Sequence, residues 1–207
     1  KTNVQKVLCV STDKAVSPVN LYGSTKLTAE RLFVAANNFK GKRKTIFSIS
    51  RYGNVFGSRG SVIPVFLDQI KNKIPLTVTD ENMTRFSLSL NEATEFVLTC
   101  LKKMQGGEVF VPKLKSYKIT DVVKALGKKN FKVVGIRPGE KIHEELITSQ
   151  EKYRTIEKKN YFLIMPDFKN IKVQKKVNKS SYNSLSNPDY LTVNELSKKL
   201  KEFDNSI

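Results

Sequence analysis

Residues 6–26, "KVLCVSTDKAVSPVNLYGSTK", run from an apolar segment through a polar turn into a helical pattern. Lys6–Val10 has the short, apolar, β-forming character of a strand buried in a parallel sheet, and Ser11 and Thr12 close it. From Tyr22 to Asn38 the period changes. Thr25, Ala29, Leu32, Phe33 and Ala36 recur at three- and four-residue steps, and "NNFKGK" ends the run, which predicts a helix. "KTIFSISRYGNVFG" (residues 44–57) then reads as a second buried strand entering a glycine-bearing loop. Strand, helix and strand in this order form a parallel crossover, which places the chain in the α/β class.

The remaining pattern is shorter in period. "SVIPVFLDQIKNK" and "NEATEFVLTCLKKM" predict helices, and "IPLTVT", "GGEVFVP" and "FKVVGI" predict strands. "ITDVVKALGKK" predicts a helix capped by Thr120. Near the end, "LTVNELSKKLKEF" carries a capping box at Thr192 and Glu195. Its stripe of Val193, Leu196, Leu200 and Phe203 should dock on a core.

Composition narrows the function classes. With 207 residues, 39% hydrophobic and 27% charged, the chain is long enough for one domain and a fraction. No apolar run reaches the roughly 18 residues of a membrane span. Cys9 and Cys100 lie in apolar segments and are expected to be buried free thiols, as suits a reducing cytosol. The net charge of +18 is dispersed, with excesses at Lys124–Lys132, Lys152–Lys159 and Lys169–Lys179. Aromatic and arginine residues do not interleave with these lysines, so no nucleic-acid surface is expected. Attraction of an anionic, phosphate-bearing small molecule remains open beside a merely solvated face.

The opening stretch holds four groups able to move protons. Tyr22 and Lys26 are four apart and share a helix face, where an ammonium favours the phenolate of its neighbour. Asp13 and Lys14 precede them as an acid–base pair, or as two solvated turn charges if taken alone. His143 is the sole histidine, lacks companions with metal-ligand spacing and reads as structural; no metal site is expected.

"STDK…NLYGSTKLTAERLF", "RYGNVFGSRGSVIPVF", "MTRFSLSLNEA" and "GIRPGEKIHEELI" together resemble the extended short-chain dehydrogenase/reductases of nucleotide-sugar metabolism. Within that family they most resemble the inverting UDP-N-acetylglucosamine 4,6-dehydratases. The four motifs occur in the family's order over most of the chain. Membrane-bound relatives share "STDKA" but commonly carry methionine where Tyr22 stands, which favours the soluble, cytoplasmic branch.

The resemblance implies a Rossmann-like parallel sheet plus a small α/β substrate lobe. It puts late Rossmann strands and the catalytic helix in residues 1–60. Residues 61–207 would be mainly the substrate lobe, with possible elements returning to the sheet. Tyr22 assisted by Lys26 would oxidise C4 of a UDP-sugar, with hydride passing to NADP rather than NAD. Lys14 would remove the C5 proton, and Asp13 would protonate the departing C6 hydroxyl. Ser11, Thr12, Tyr22, Lys26, Tyr52, Gly53 and Asn54 would line the cofactor. Asn54, Arg59, Arg85, Arg137 and Glu140 would hold the UDP-sugar, because guanidinium forks suit phosphate oxygens. A homo-oligomer is expected. The product would serve surface glycans of the pseudaminic acid type.

The family's glycine-rich cofactor turn has no counterpart in the sequence. The chain therefore resembles the C-terminal portion of such an enzyme, without the glycine-rich N-terminal half. Alone, it is expected to lack turnover. Two other readings stay open: a different epimerase or dehydratase of the superfamily, and a non-catalytic nucleotide-sugar-binding portion. Retaining dehydratases usually place Asp-Glu where Asp13-Lys14 stands, which argues against that branch.

Overall fold

The computed structural model describes residues 3–167 and 181–204; the lysine excess at 169–179 lies outside them. In chain order the elements are β1 (Lys6–Thr12), α1 (Leu21–Phe39), β2 (Ile46–Tyr52), α2 (Val62–Lys71), β3 (Thr77–Val78) and β4 (Thr84–Ser87). Then come α3 (Leu90–Lys103), β5 (Val109–Pro112), β6 (Lys115–Lys118), α4 (Ile119–Ala125), β7 (Lys132–Val133) and β8 (Glu145–Ile147). The last are β9 (Thr155–Glu157), β10 (Tyr161–Ile164), β11 (Tyr182–Asn183) and α5 (Val193–Asp204). They divide into two compact units.

The first unit comprises Lys1–Gly53, Leu90–Lys113 and Glu145–Tyr182. Its sheet runs β1-β2-β5-β10-β9. β1 and β2 are parallel, in register from Lys6↔Ile46 to Thr12↔Tyr52, and β5 continues the parallel set through Ile49↔Val109. β10 and β9 join antiparallel, making the sheet mixed. Cys100, Met104 and Phe110 form a buried cluster beneath it. Burial pushes the Cys100 thiol up to about 12. Cys9, expected to be buried, is only half-buried. Its strand is the edge of the described sheet, where one neighbour cannot cover both sides.

The second unit comprises Asn54–Ser89, Leu114–Glu144 and Asn183–Ile207. Ile63 and Phe66 from α2, Val122 and Val123 from α4, and Leu196 and Leu200 from α5 share one core with Val78 and Tyr117. β4 and β6 pair antiparallel, and β3 and β7 pair parallel. The helix cap expected at Thr120 falls elsewhere. α4 begins at Ile119 with Lys118 at the cap position and no side-chain cap bond, because Ile119 N–H is held by the Met83 carbonyl.

The capping box of α5 forms as expected. Thr192 Oγ1 accepts from Glu195 N–H at 3.2 Å, and Glu195 Oε2 accepts from Thr192 N–H at 2.8 Å. Lys115, then the Thr192 backbone and hydroxyl, hold the Glu195 carboxyl down to about 2. A carboxyl lowered on folding supports the fold above its ordinary range and loses that support as pH falls toward 2. Replacing Thr192 with alanine should cost about 1 kcal/mol. The same change should return the Glu195 titration toward 4.5, its ordinary value, as followed by NMR.

Candidate active site

Eight of the residues singled out by sequence lie in the first unit: Ser11, Thr12, Asp13, Lys14, Tyr22, Lys26, Tyr52 and Gly53. Ser11 and Thr12 end β1, and directly opposite them Arg51 and Tyr52 end β2. Asp13–Ala15 then form a single 3₁₀ turn. Asp13 is buried at 1% exposure, although it sits in a polar stretch. Its Oδ1 accepts from Thr12 Oγ1 at 2.9 Å and from Lys14 Nζ at 3.1 Å. Its Oδ2 is buried with no hydrogen-bond partner, as is Ser11 Oγ two residues earlier. Two orphaned buried polar atoms at a strand terminus are costly unless a bound molecule meets them.

The chain then reverses through Ser17, whose φ of +43° is unusual for a residue other than glycine, and Asn20 caps α1 by accepting from Gly23 N–H at 2.8 Å. Tyr22 lies on the first turn, 53% exposed, so its ring is available to a ligand. One turn on, Lys26 Nζ donates to the Val10 carbonyl of β1 at 3.2 Å, pinning the ammonium over the strand end. Tyr52 is half-buried, and that burial raises its phenol above the ordinary value.

Gly23, inside "NLYGSTK", has a role that the pattern alone does not reveal. A Cβ at this position would lie 2.2 Å from the Lys14 carbonyl oxygen and 2.9 Å from Pro18 Cβ. Absence of a side chain lets α1 touch the Asp13–Lys14 turn. Alanine is the better helix former by about 1 kcal/mol, yet Gly23→Ala should lower stability, because a backbone carbonyl cannot swing aside. A melting temperature at or above the wild-type value would refute this packing.

Arg51 and Glu30 are further groups that sequence reasoning passed over. The Arg51 guanidinium, in a residue 2% exposed, donates to Glu30 (Nε–Oε1 2.9 Å, Nη2–Oε2 2.6 Å). It also donates to Glu151 (Nη1–Oε2 3.0 Å, Nη2–Oε1 3.0 Å) and to the Leu146 carbonyl at 3.0 Å.

The other five residues lie in the second unit: Asn54, Arg59, Arg85, Arg137 and Glu140. Arg59 is exposed in the loop before α2. There the cap residue Ser61 makes no side-chain cap bond, and its Oγ is buried without a partner. A ten-residue helix whose N-terminus carries an unused buried hydroxyl suits an anion. Arg137 is exposed and starts a turn that its carbonyl closes by accepting from Glu140 N–H at 3.1 Å. Gly139, at φ +82°, supplies the conformation that a Pro-Gly turn of this kind requires. Arg85 is instead engaged with its own chain. Its guanidinium donates to the carbonyls of Thr84, Lys141 and Ile142 at 2.7–3.0 Å and lies 3.6 Å from Glu144. That ties β4 to the segment following the Arg137 turn. His143 Nδ1 bonds Thr84 Oγ1 at 2.9 Å, and burial and Arg85 hold its imidazole below 6.5.

Among the described residues no cluster of three or more His, Cys, Asp or Glu side chains could hold a metal. No helix among them is long and apolar enough to cross a membrane.

A mostly parallel sheet with polar and titratable side chains at its strand ends is the architecture of extended short-chain dehydrogenase/reductases, and the chain superposes on solved members of that fold class. Residues 1–166 match the model of the polysaccharide biosynthesis protein family, and the chain belongs to that family. It is 44% identical over 211 residues to a UDP-N-acetylglucosamine 4,6-dehydratase (inverting) from Campylobacter jejuni, covering 95% of this chain and 63% of the relative. The structure of Pen from Bacillus thuringiensis superposes with a TM-score of 0.84 at 38% identity, over 97% of this chain and 63% of that one. dTDP-glucose 4,6-dehydratase from Bacillus anthracis shares the fold at 19% identity, with a TM-score of 0.52 over 64% and 51% of the two chains. The chain thus spans about 63% of the length of the curated relatives that it matches first.

Proposed function

We propose that the chain carries the catalytic residues of an NADP-dependent UDP-N-acetylglucosamine 4,6-dehydratase that inverts C5. One observation carries this reading: Asp13 and Lys14 form a contacting acid–base pair, at 3.1 Å, in a turn that packs through Gly23 on the helix bearing Tyr22 and Lys26. An enzyme that only oxidises and reduces C4 needs no such pair.

The strand-end groups fit the reactive end of a nicotinamide dinucleotide. Ser11 Oγ offers an unused hydroxyl, and Tyr22, Lys26, Tyr52 and Gly53 would complete that wall. The bound group would supply a hydride acceptor and donor. The chain's own residues move the protons. Tyr22 takes the C4 hydroxyl proton, with the Lys26 ammonium one turn further along the same helix face. Once a proton has passed from the Lys14 ammonium to the Asp13 carboxylate within their contact, Lys14 withdraws the C5 proton, made acidic by the adjacent ketone, while Asp13 protonates the C6 hydroxyl so that water leaves. Proton return to the opposite face of C5 inverts that centre. Overall the sugar loses one water and no electrons, since the hydride leaving C4 returns at C6.

The diphosphate is assigned to the N-terminus of α2 with Ser61 and Arg59, and to Arg137, whose turn Arg85 steadies. Cytoplasmic location, homo-oligomeric assembly and supply of pseudaminic-acid-type glycan precursors belong to the same reading, whose inverting dehydration the identity to the Campylobacter relative supports.

The test is dehydration of UDP-N-acetylglucosamine in deuterium oxide, followed by NMR, with the product of the complete reading frame that encodes these residues. Loss of water with one solvent deuterium at C5 is expected. Residues 1–207 alone contain no glycine-rich turn for the pyrophosphate, so they should bind NADP weakly at about 150 mM salt, where exposed charges are screened beyond about 8 Å. Retention of the C5 proton, or interconversion at C4 without loss of water, would refute the dehydratase reading.

A further inference from the structure

We propose that Arg51 is a positioning residue for the reaction: its fork sets where the helix bearing Tyr22 and Lys26 sits on the sheet. The inference rests on the dehydratase reading for its kinetic consequence and on geometry alone for the anchoring.

α1 is nineteen residues long, yet only Gly23 and Glu30 are fully buried. An amphipathic helix is ordinarily seated by a broad apolar stripe. Here Leu21 and Leu32 point to solvent, at 80% and 65% exposure. One of the two buried residues is a glycine pressed on the Lys14 carbonyl, and the other is a carboxylate held by Arg51. Tyr22, Lys26 and Glu30 follow one another at four-residue steps along the helix. The carboxylate therefore anchors the same side of the helix that carries the proton-moving groups. Lys26 donates to the Val10 carbonyl at 3.2 Å, which places that side of the helix over β1.

The other end of the fork is equally well placed. Arg51 stands in β2 beside Tyr52 and is the register partner of Ser11 in β1. All five guanidinium N–H groups are used: two on Glu30, two on Glu151 and one on the Leu146 carbonyl. Glu151 is itself oriented by Thr148 N–H at 3.2 Å. One planar group thus ties together α1, the end of β2 and the segment at 146–151. Buried ion pairs are often no more stabilising than apolar replacements, so strength alone does not account for this arrangement. What a planar fork adds is direction, which an ammonium lacks.

The test uses Glu30→Gln and Arg51→Lys in the active enzyme, with kinetics, melting temperature and amide hydrogen exchange. Glu30→Gln keeps size and polarity but loses the charge-assisted fork. A displacement of about 1 Å in the helix should lower kcat by about 100-fold. KM for UDP-N-acetylglucosamine should stay within about twofold, as expected if substrate binding lies elsewhere. Exchange across Leu21–Glu30 should rise by about tenfold while that of α3 is unchanged. Arg51→Lys should match Glu30→Gln rather than restore kcat. Unchanged kcat in the folded variant, rescue by lysine, or equal acceleration of exchange in α1 and α3 would each overturn the proposal. A wild-type enzyme without dehydratase activity would refute the functional reading only; selective exchange in α1 would then decide the anchoring by itself.

Discussion

Tyr22→Phe should lower dehydratase turnover by about a thousandfold, or about 4 kcal/mol of barrier, in the range that general acid–base groups contribute. The ring is half outside the protein surface and forms no part of either buried cluster. Stability and UDP affinity should accordingly stay at wild-type values, so the loss reads chemistry rather than folding. Thr25 bonds the Tyr22 backbone carbonyl, not its phenol, and Lys26 remains fixed by Val10. The phenylalanine variant therefore removes one oxygen and leaves its surroundings in place. Steady-state kinetics with UDP-N-acetylglucosamine checks this. Turnover within about tenfold of wild type would move the oxidising base elsewhere.

Arg51→Met should destabilise the first unit by about 3–5 kcal/mol, the cost of leaving buried carboxylates without their cation. Glu30 and Glu151 are 2% and 7% exposed, so neither can recover water without local opening. That loss is a large share of the roughly 5–15 kcal/mol that holds a typical domain together. The pH dependence supplies a second check. Burial raises the Glu151 carboxyl, but the Arg51 charge and hydrogen bonds outweigh it and leave it below 4.5. Its stabilising contribution is therefore complete above that value and fades as pH falls through the lowered one. The gap between wild type and variant should be widest near neutrality and should close in acid. Urea unfolding at several pH values measures it; a pH-independent gap below about 1 kcal/mol would show that the cluster is not load sharing.

Local signals carried much of the fold. The β1–α1–β2 crossover follows from two apolar strands around a period of three to four, and the capping box at Thr192 is visible as four residues. What stayed hidden depends on partners distant in sequence. β4 and β6, "TRFS" and "KSYK", are too short to show alternation and exist because each gives the other a ladder. β10 returns antiparallel to β5 from about fifty residues away, a choice no local pattern encodes. The site divides in the same manner. Asp13, Lys14, Tyr22 and Lys26 stand out because a proton-moving group is recognisable by type and spacing. Arg51 does not, since its partners lie 21 and 100 positions away. The only local hint is a charge inside a strand whose other residues carry none. Arg85 was legible as a cation, but its engagement with the carbonyls at 141 and 142 was not.

The two units are each assembled from three separate lengths of chain, in strict alternation. Neither unit therefore exists as a contiguous stretch that could be cut out and expressed. During synthesis the crossover at residues 6–52 waits for β5 and then β10 before its sheet can close. The second unit waits longer still, because its core includes Leu196 and Leu200 of α5, which lie C-terminal to β10. A chain arrested at residue 140 would hold two unfinished cores at once, with strands exposed on both. Such alternation makes folding nonlocal and slow, and it places the burden of avoiding aggregation on the period before both cores are complete.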